Sequence, residues 1–283
     1  MYYFCSVKKI TDIVQPIAAE LAQFEAFFEK TLHADTEPMD GIMRYVGDTS
    51  GKRLRPILVL LSAKLFGVVN DRTLQAATFV EMVHSATLIH DDVVDEAETR
   101  RNKASVKARF GNLSAVLAGD YLLAKAMLLI SQPDNHDIMQ EMLGTTAAMS
   151  EGELMQNASK VPEPIEGPAF RQAQRPAKDH QNDTYLDIIT RKTAMLMRSC
   201  CVSGALSVNA TPKQVQQIAN FGLSFGILFQ LRDDILDREH VEQAKALMPV
   251  YYDKTMKALE DMPKSETVET LQELTTFCAE REG

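Results

Sequence analysis

The chain has 283 residues, of which 45% are hydrophobic and 24% charged, with no tryptophan. This is an ordinary globular composition with ample apolar material for a core. A formal net charge of −9 argues against nucleic acid or an anionic membrane surface as the main partner. The cysteines Cys5, Cys200, Cys201 and Cys278 have no zinc-like or Cys-x-x-Cys spacing, so free thiols in a reducing compartment are expected.

No secretory signal pattern opens the chain. The longest apolar stretch, Ile57 to Val69, carries Lys64 and is too short to span a bilayer. A cytoplasmic protein with no transmembrane span is expected. No linker divides the sequence, so residues 1–283 are expected to form one helical domain.

Taken in order, residues 8–32 have apolar side chains at three- and four-residue spacing and predict an amphipathic helix on the outside of the domain. A loop at 34–38 and a short helix ending before Gly47 follow. Gly51-Lys52-Arg53-Leu54-Arg55-Pro56 then leads into a buried helix from Ile57 to Phe66. Cations beside a helix start oppose its dipole. They form either a solvated basic turn or an anion site, with lysine as a point charge and arginine as a planar fork.

Residues 71–95 form an apolar helix that ends in His90-Asp91-Asp92-Val93-Val94-Asp95. Asp91 and Asp95 lie one turn apart on the same face, where like charges repel. A divalent cation over the pair removes that conflict, because Mg2+ is held by one or two carboxylates plus phosphates and waters. His84 shares their face and His90 points elsewhere. Glu81-x-x-His84 resembles half of a di-iron signature, but the chain holds no second Glu-x-x-His. Arg100 and Arg101 either pair with Glu96 and Glu98 or hold the outer oxygens of a phosphate.

Helices are predicted over 112–131 and 135–158, the latter carrying Gly152-Glu153-Leu154-Met155-Gln156. Residues 160–183 hold Pro162, Pro164, Pro168 and Pro176 and read as a loop or insertion. A helix over 184–208 carries Lys192 and Thr193 among apolar residues, as a cavity lining would. A second acidic helix over 212–237 ends in Phe229-Gln230-Leu231-Arg232-Asp233-Asp234-Ile235-Leu236-Asp237. Two further helices, over 240–261 and 265–281, complete the chain, with no strand-like alternation.

Two acidic helix ends suggest two carboxylate rims across one cavity. In an acidic protein they would repel an anionic substrate, at roughly 3 kcal/mol per pair of unit charges about 5 Å apart in a medium of effective dielectric near 20. Divalent ions between the rims, with Lys52, Arg53, Arg55, Arg100, Arg101 and Lys192 around them, reverse that sign. The inventory suits diphosphates, and chemistry in which diphosphate departs.

The order Gly-Lys-x-x-Arg-Pro, His84, Asp-Asp-x-x-Asp, Arg-Arg, Gly-Glu-x-x-Gln, Lys-Thr and Phe-Gln-x-x-Asp-Asp-x-x-Asp is similar to that of the trans-isoprenyl diphosphate synthases (polyprenyl synthetases). The resemblance covers residues 45–158 and 184–237. It implies an all-α bundle of about ten core helices around a deep central cavity, usually in a homodimer. It also implies that isopentenyl diphosphate is condensed with an allylic diphosphate, such as farnesyl diphosphate, to a longer all-trans product, in a medium- or long-chain synthase. Carried over residue by residue, Asp91, Asp95 and Asp233 would hold three Mg2+, with Asp237 beside them and Asp92 and Asp234 assisting. Lys52, Arg55, His84 and Arg101 would bind isopentenyl diphosphate, with Arg53 among the substrate-binding residues. Arg100 and Lys192 would bind the allylic diphosphate, and Thr193 and Gln230 would line the cation site. Contact with a membrane would come only peripherally, through the lipid product.

Below Asp91, the small residues Val83, Ala86 and Thr87 would leave a tunnel open to products above about twenty carbons, in place of the aromatic stops the family uses. The sequence departs from the family after Asp237, where several tens of residues with a diphosphate-contacting lysine are expected and Arg238-Glu239-His240 follows instead. That departure keeps open a weakly active, lipid- or diphosphate-binding subunit of a hetero-oligomeric synthase. A class I terpene cyclase is the third reading, against which Asp233-Asp234-Ile235-Leu236-Asp237 stands.

Overall fold

The computed structural model describes residues 9–48, 51–157 and 181–282. Helix α1 (Ile10–Ile13) and a 3-10 turn (Gln15–Ile17) precede α2 (Ala18–Leu32) and α3 (Glu37–Asp48). Then come α4 (Leu54–Phe66), α5 (Asp71–Val94), the strands β1 (Thr99–Arg100) and β2 (Lys103–Ala104), α6 (Val106–Phe110), α7 (Asn112–Ile130) and α8 (His136–Asn157). After residue 180 follow α9 (Gln181–Ile189), a π-turn (Thr190–Ala194), α10 (Met195–Ser207), α11 (Pro212–Asp237), α12 (Val241–Glu260) and α13 (Glu266–Glu280). The fold is all-α, as expected.

Helix α4 explains the centre of the bundle. Ile57 is 1% exposed and Leu58 through Leu61 are 0% exposed, and a helix apolar on every side belongs inside. Helices α5 and α10 pack on it. The approach of α10 is close because a Cβ at Gly204 would sit 2.3 Å from the Val59 carbonyl oxygen. Buried side chains from Ile13 to Cys278 join one apolar cluster, and a smaller one forms around Tyr185, Ile189, Ile227 and Leu231.

The two acidic helices are the longest, at 24 and 26 residues, or about 36 and 39 Å. Asn70 caps α5 by accepting from the Thr73 N–H at 3.1 Å, and Thr211 caps α11 with Pro212 at its first position. Both helices are thus pinned at their N-termini and deliver their carboxylates far away.

Several local expectations change. Pro16 breaks the predicted 8–32 helix into three pieces, and its apolar face is core, since Ile17 and Phe24 are 0% exposed. Helix α3 runs through Gly47 to Asp48. A two-residue ladder pairs Thr99 with Ala104 and Arg100 with Lys103, turned by Arg101 and Asn102 at positive φ. The predicted 184–208 helix contains the π-turn. Among the described residues, helix α7, not Ile57–Val69, is the stretch long and apolar enough to cross a membrane by length and composition. It packs along α5 and buries Ala115, Ala118 and Leu122. Cys200, Cys201 and Cys278 are free and buried, while Cys5 lies outside the described residues. So does residues 160–180 of the expected insertion; 181–183 open α9.

Candidate active site

Asp91 and Asp95 close α5, and Asp233 and Asp237 close α11. All four line one cleft of about 1190 Å³. Carboxylates at helix C-termini meet the negative end of each dipole, so both rims are held against electrostatics twice over. Burial pushes the Asp91 carboxyl up to about 6, with Glu153 and Asp95 adding to the rise against Lys192 and Arg100. Burial also raises Asp233, against the opposing pull of Arg281.

The middle carboxylates are structural anchors. Asp92 is 2% exposed and accepts from Arg100 Nε at 2.9 Å and Nη2 at 2.6 Å. The β1–β2 hairpin therefore returns an arginine to the helix that precedes it. Arg100 still lines the cleft. Lys107, not either arginine, takes Glu98, at 3.0 Å. Asp234 accepts from Gln230 Nε2 at 2.7 Å and from the Tyr185 hydroxyl. Gln230 Oε1 in turn accepts from Thr193 Oγ1 at 2.7 Å, so the amide is oriented by a donor on one side and an acceptor on the other.

Lys192 and Thr193 owe their places to the π-turn, a wide turn common at functional sites. Two glycines seat it: a Cβ at Gly226 would lie 2.6 Å from Ala194 Cα, and one at Gly152 would lie 2.8 Å from the Lys192 nitrogen. Lys192 Nζ reaches Glu153 Oε2 at 2.5 Å and Gln156 Oε1 at 2.8 Å. The Gly-Glu-x-x-Gln run thus supplies the seat and both partners of one lysine.

A second, basic pocket of about 320 Å³ lies alongside, lined by Lys52, Arg53, Arg55, His84 and Arg101. Arg55, His84 and Phe229 border both cavities. Arg55 Nη1 can only donate, so His84 Nε2 accepts at 2.9 Å and the ring keeps its proton on Nδ1. Burial and the charges of Arg55 and Arg101 hold His84 well below the ordinary histidine range, consistent with a neutral ring. Gly51 lets the Arg101 guanidinium lie on the loop backbone, 2.6 Å from where a Cβ would stand.

Arg53 reaches this pocket, but each of its three nitrogens already holds a carboxylate. Nε and Nη2 hold Glu25 at 2.9 and 3.0 Å, Nη1 holds Glu81 at 2.8 Å, and the guanidinium lies 4.5 Å from the Phe28 ring. Its part is to tie the loop to α2 and α5, and Glu81 belongs to that tie. His90 turns to α7, reaching the Val116 carbonyl at 3.2 Å. Below Asp91, Thr87 lines the large cleft with Leu88 and Met149. Val83 and Ala86 do not; they are 1% and 0% exposed in the core.

Among the described residues, no three carboxylate, histidine or cysteine side chains converge on a ready-made metal cage. The donor set nonetheless fits Mg2+: paired oxygen ligands on two rims, short of countercharge, suit an ion that completes its octahedron with phosphate oxygens and water. Sequence reasoning missed Glu153, Tyr185 and Arg281 as members of this region. Glu153 stood in a noted motif, while the other two carry no local signal.

The Polyprenyl synthetase family model matches residues 36–247. The chain is 34% identical over 227 residues to an all-trans-nonaprenyl-diphosphate synthase (geranyl-diphosphate specific) from Rhodobacter capsulatus, covering 80% of this chain and 65% of the relative. It is 32% identical to an octaprenyl diphosphate synthase from Haemophilus influenzae, over 75% of this chain and 60% of that one. The chain thus spans less than two thirds of the length of these curated relatives. A polyprenyl synthase from Caulobacter crescentus, solved with calcium and isoprenyl diphosphate, superposes with a TM-score of 0.83 at 23% identity, covering 98% of this chain and 99% of that one. With its acidic rims and basic pocket carried on that fold, the chain belongs to the polyprenyl synthetase family.

Proposed function

We propose that the chain is a Mg2+-dependent trans-prenyltransferase that condenses isopentenyl diphosphate with an allylic diphosphate, giving a longer all-trans polyprenyl diphosphate in the cytoplasm. The observation that carries this reading is that two acidic rims line one large cleft beside a separate basic pocket. Two diphosphates with different fates need two such sites.

Asp91, Asp95, Asp233 and Asp237 would hold Mg2+, which when bound neutralises diphosphate and stabilises charge on departing oxygens. Lys192 supplies a point charge to the allylic diphosphate, and Arg100 a guanidinium anchored to Asp92. The Thr193 hydroxyl and the Gln230 amide present oriented dipoles where the allylic cation develops. Lys52, Arg55 and Arg101 hold the diphosphate of isopentenyl diphosphate, and His84 offers Nδ1–H. The proton lost after attack leaves with the released diphosphate. The hydrocarbon extends past Thr87, Leu88 and Met149.

A homodimer through α7 is part of this reading. It is supported by the apolar side chains that α7 leaves outside, with Leu113 75% and Leu128 71% exposed.

Incubation with labelled isopentenyl diphosphate, farnesyl diphosphate and Mg2+, with products separated by length, tests the proposal. Elongated products are expected, and a Thr87→Phe variant should shorten them. Binding without elongation would instead favour the diphosphate-binding subunit.

A further inference from the structure

Arg281 stands where the two cavities meet. It follows the last turn of α13 in an extended conformation, and its carbonyl accepts from Arg232 Nε at 2.9 Å. Its side chain lines the basic pocket with Lys52, Arg55 and Arg101. Yet its Nη2 donates to Asp233 Oδ1, on the rim of the other cleft. The guanidinium lies 4.2 Å from the ring centroid of Phe229, the residue that borders both cavities. Its Nε is buried and makes no hydrogen bond among the described residues. A guanidinium has five N–H groups in a fixed fork that matches phosphate oxygens, so this one carries donors that Asp233 does not use.

Resting on the proposed function, we infer that Arg281 is a counter-ion shared between the two sites, pairing either with Asp233 or with a diphosphate in the basic pocket. With Asp233 it occupies a carboxylate oxygen that a divalent cation would otherwise take. A diphosphate entering beside Lys52, Arg55 and Arg101 competes for the same fork. When the guanidinium turns to it over the Phe229 face, Asp233 is released with its charge uncompensated. Filling the basic pocket therefore raises the affinity of the second rim for a divalent cation. By reciprocity, a cation at Asp233 frees Arg281 and raises affinity for the diphosphate. Couplings of this kind amount to roughly 5- to 150-fold, and a solvent-bordering pair belongs near the lower end.

The test is binding by the full chain, with no allylic substrate present. Mn2+ affinity is measured by electron paramagnetic resonance without diphosphate, and inorganic pyrophosphate affinity by calorimetry in EDTA. In Arg281→Gln the two are expected to move in opposite directions: Mn2+ binds about 5-fold tighter and pyrophosphate binds about 10-fold weaker. A thermal melt accompanies both. A merely structural arginine would leave both affinities unchanged or weaken both, and either result overturns the inference. Arg281→Lys, which keeps the charge and loses the fork, should weaken pyrophosphate less than Gln does; if Gln does not fold, the inference fails if Lys binds pyrophosphate as the wild type does with no change in Mn2+ affinity. Because both arms read binding alone, a chain that shows the opposite shifts yet elongates nothing would sink the prenyltransferase reading and leave this one standing.

Discussion

The two acidic rims share one local pattern, Asp-Asp-x-x-Asp at the C-terminal end of a long helix, and differ in what the fold brings to meet them. In both, the middle carboxylate is buried and committed: Asp92 to Arg100 from the next hairpin, Asp234 to Gln230 and Tyr185. The leading carboxylates diverge. Asp233 has a resident arginine from the far end of the chain. Asp91 faces Glu153 and Asp95, and the cations nearest it are already engaged, Lys192 with Glu153 and Arg100 with Asp92. Identical motifs thus acquire different electrostatic states, because charge balance is set by neighbours remote in sequence.

The largest effect should come from the leading carboxylates themselves. Asp91→Asn or Asp233→Asn is expected to lower turnover about 100-fold or more while circular dichroism stays unchanged. Near-wild-type turnover in both would end the claim that the rims act together.

A structural break follows in size. Gly226→Ala places a methyl against Ala194 Cα, forcing α11 off the π-turn at a cost of about 1–3 kcal/mol. Its urea midpoint should fall and its turnover with it, since Thr193 and Gln230 part.

The contrast between middle and leading positions gives two stability changes of opposite sign in metal-free protein. Asp92→Asn should destabilise by about 2 kcal/mol, because charge-assisted bonds to Arg100 weaken at a buried site. Asp91→Asn should stabilise by about 1 kcal/mol near pH 7.5, after allowance for solvent screening at a half-exposed group. The sign follows from a folded value near 6 against an ordinary 3.8: above pH 6 the charged form is held at a cost that Asn does not carry. Urea melts should show this gain vanishing as pH falls below about 4.

The smallest effect belongs to His84. Its folded value lies below the ordinary 6.5, so the unfolded chain takes up the proton first and stability drops as pH falls below 6.5. The loss between pH 6.5 and 6.0 should be about half a kcal/mol, and His84→Gln should remove it. Asp91 slopes the other way through pH 6, so the comparison is made in Asp91→Asn protein. An unchanged slope would mean that His84 is not held neutral.

Most of the architecture was legible because it rests on local periodicity. Apolar spacing located α5, α8 and α11 to within a residue or two, and Asn70 and Thr211 are capping residues of ordinary kind. The π-turn was not legible: it arises because Gly152 and Gly226 let two other helices press on residues 190–194, a fact of packing. Val83 and Ala86 read as tunnel residues from small size and spacing, yet helix rotation within the bundle turned them to the core and left Thr87 on the cleft. Arg53 read as a phosphate fork like Arg55, and only Glu25 and Glu81 arriving from α2 and α5 distinguish the two.

By itself, then, the sequence determined helical character, the two acidic helix ends and the supply of cations, since each depends on residue type and spacing along a few turns. The repeated acidic ends also pointed to two rims across one cavity, as the shared cleft bears out; the tertiary structure alone decided which carboxylates are anchors and which arginine balances Asp233. Those depend on groups that packing brings together, from Arg100 on the hairpin just after Asp92 to Arg281 at the end of the last helix, and apolar periodicity records none of these pairings.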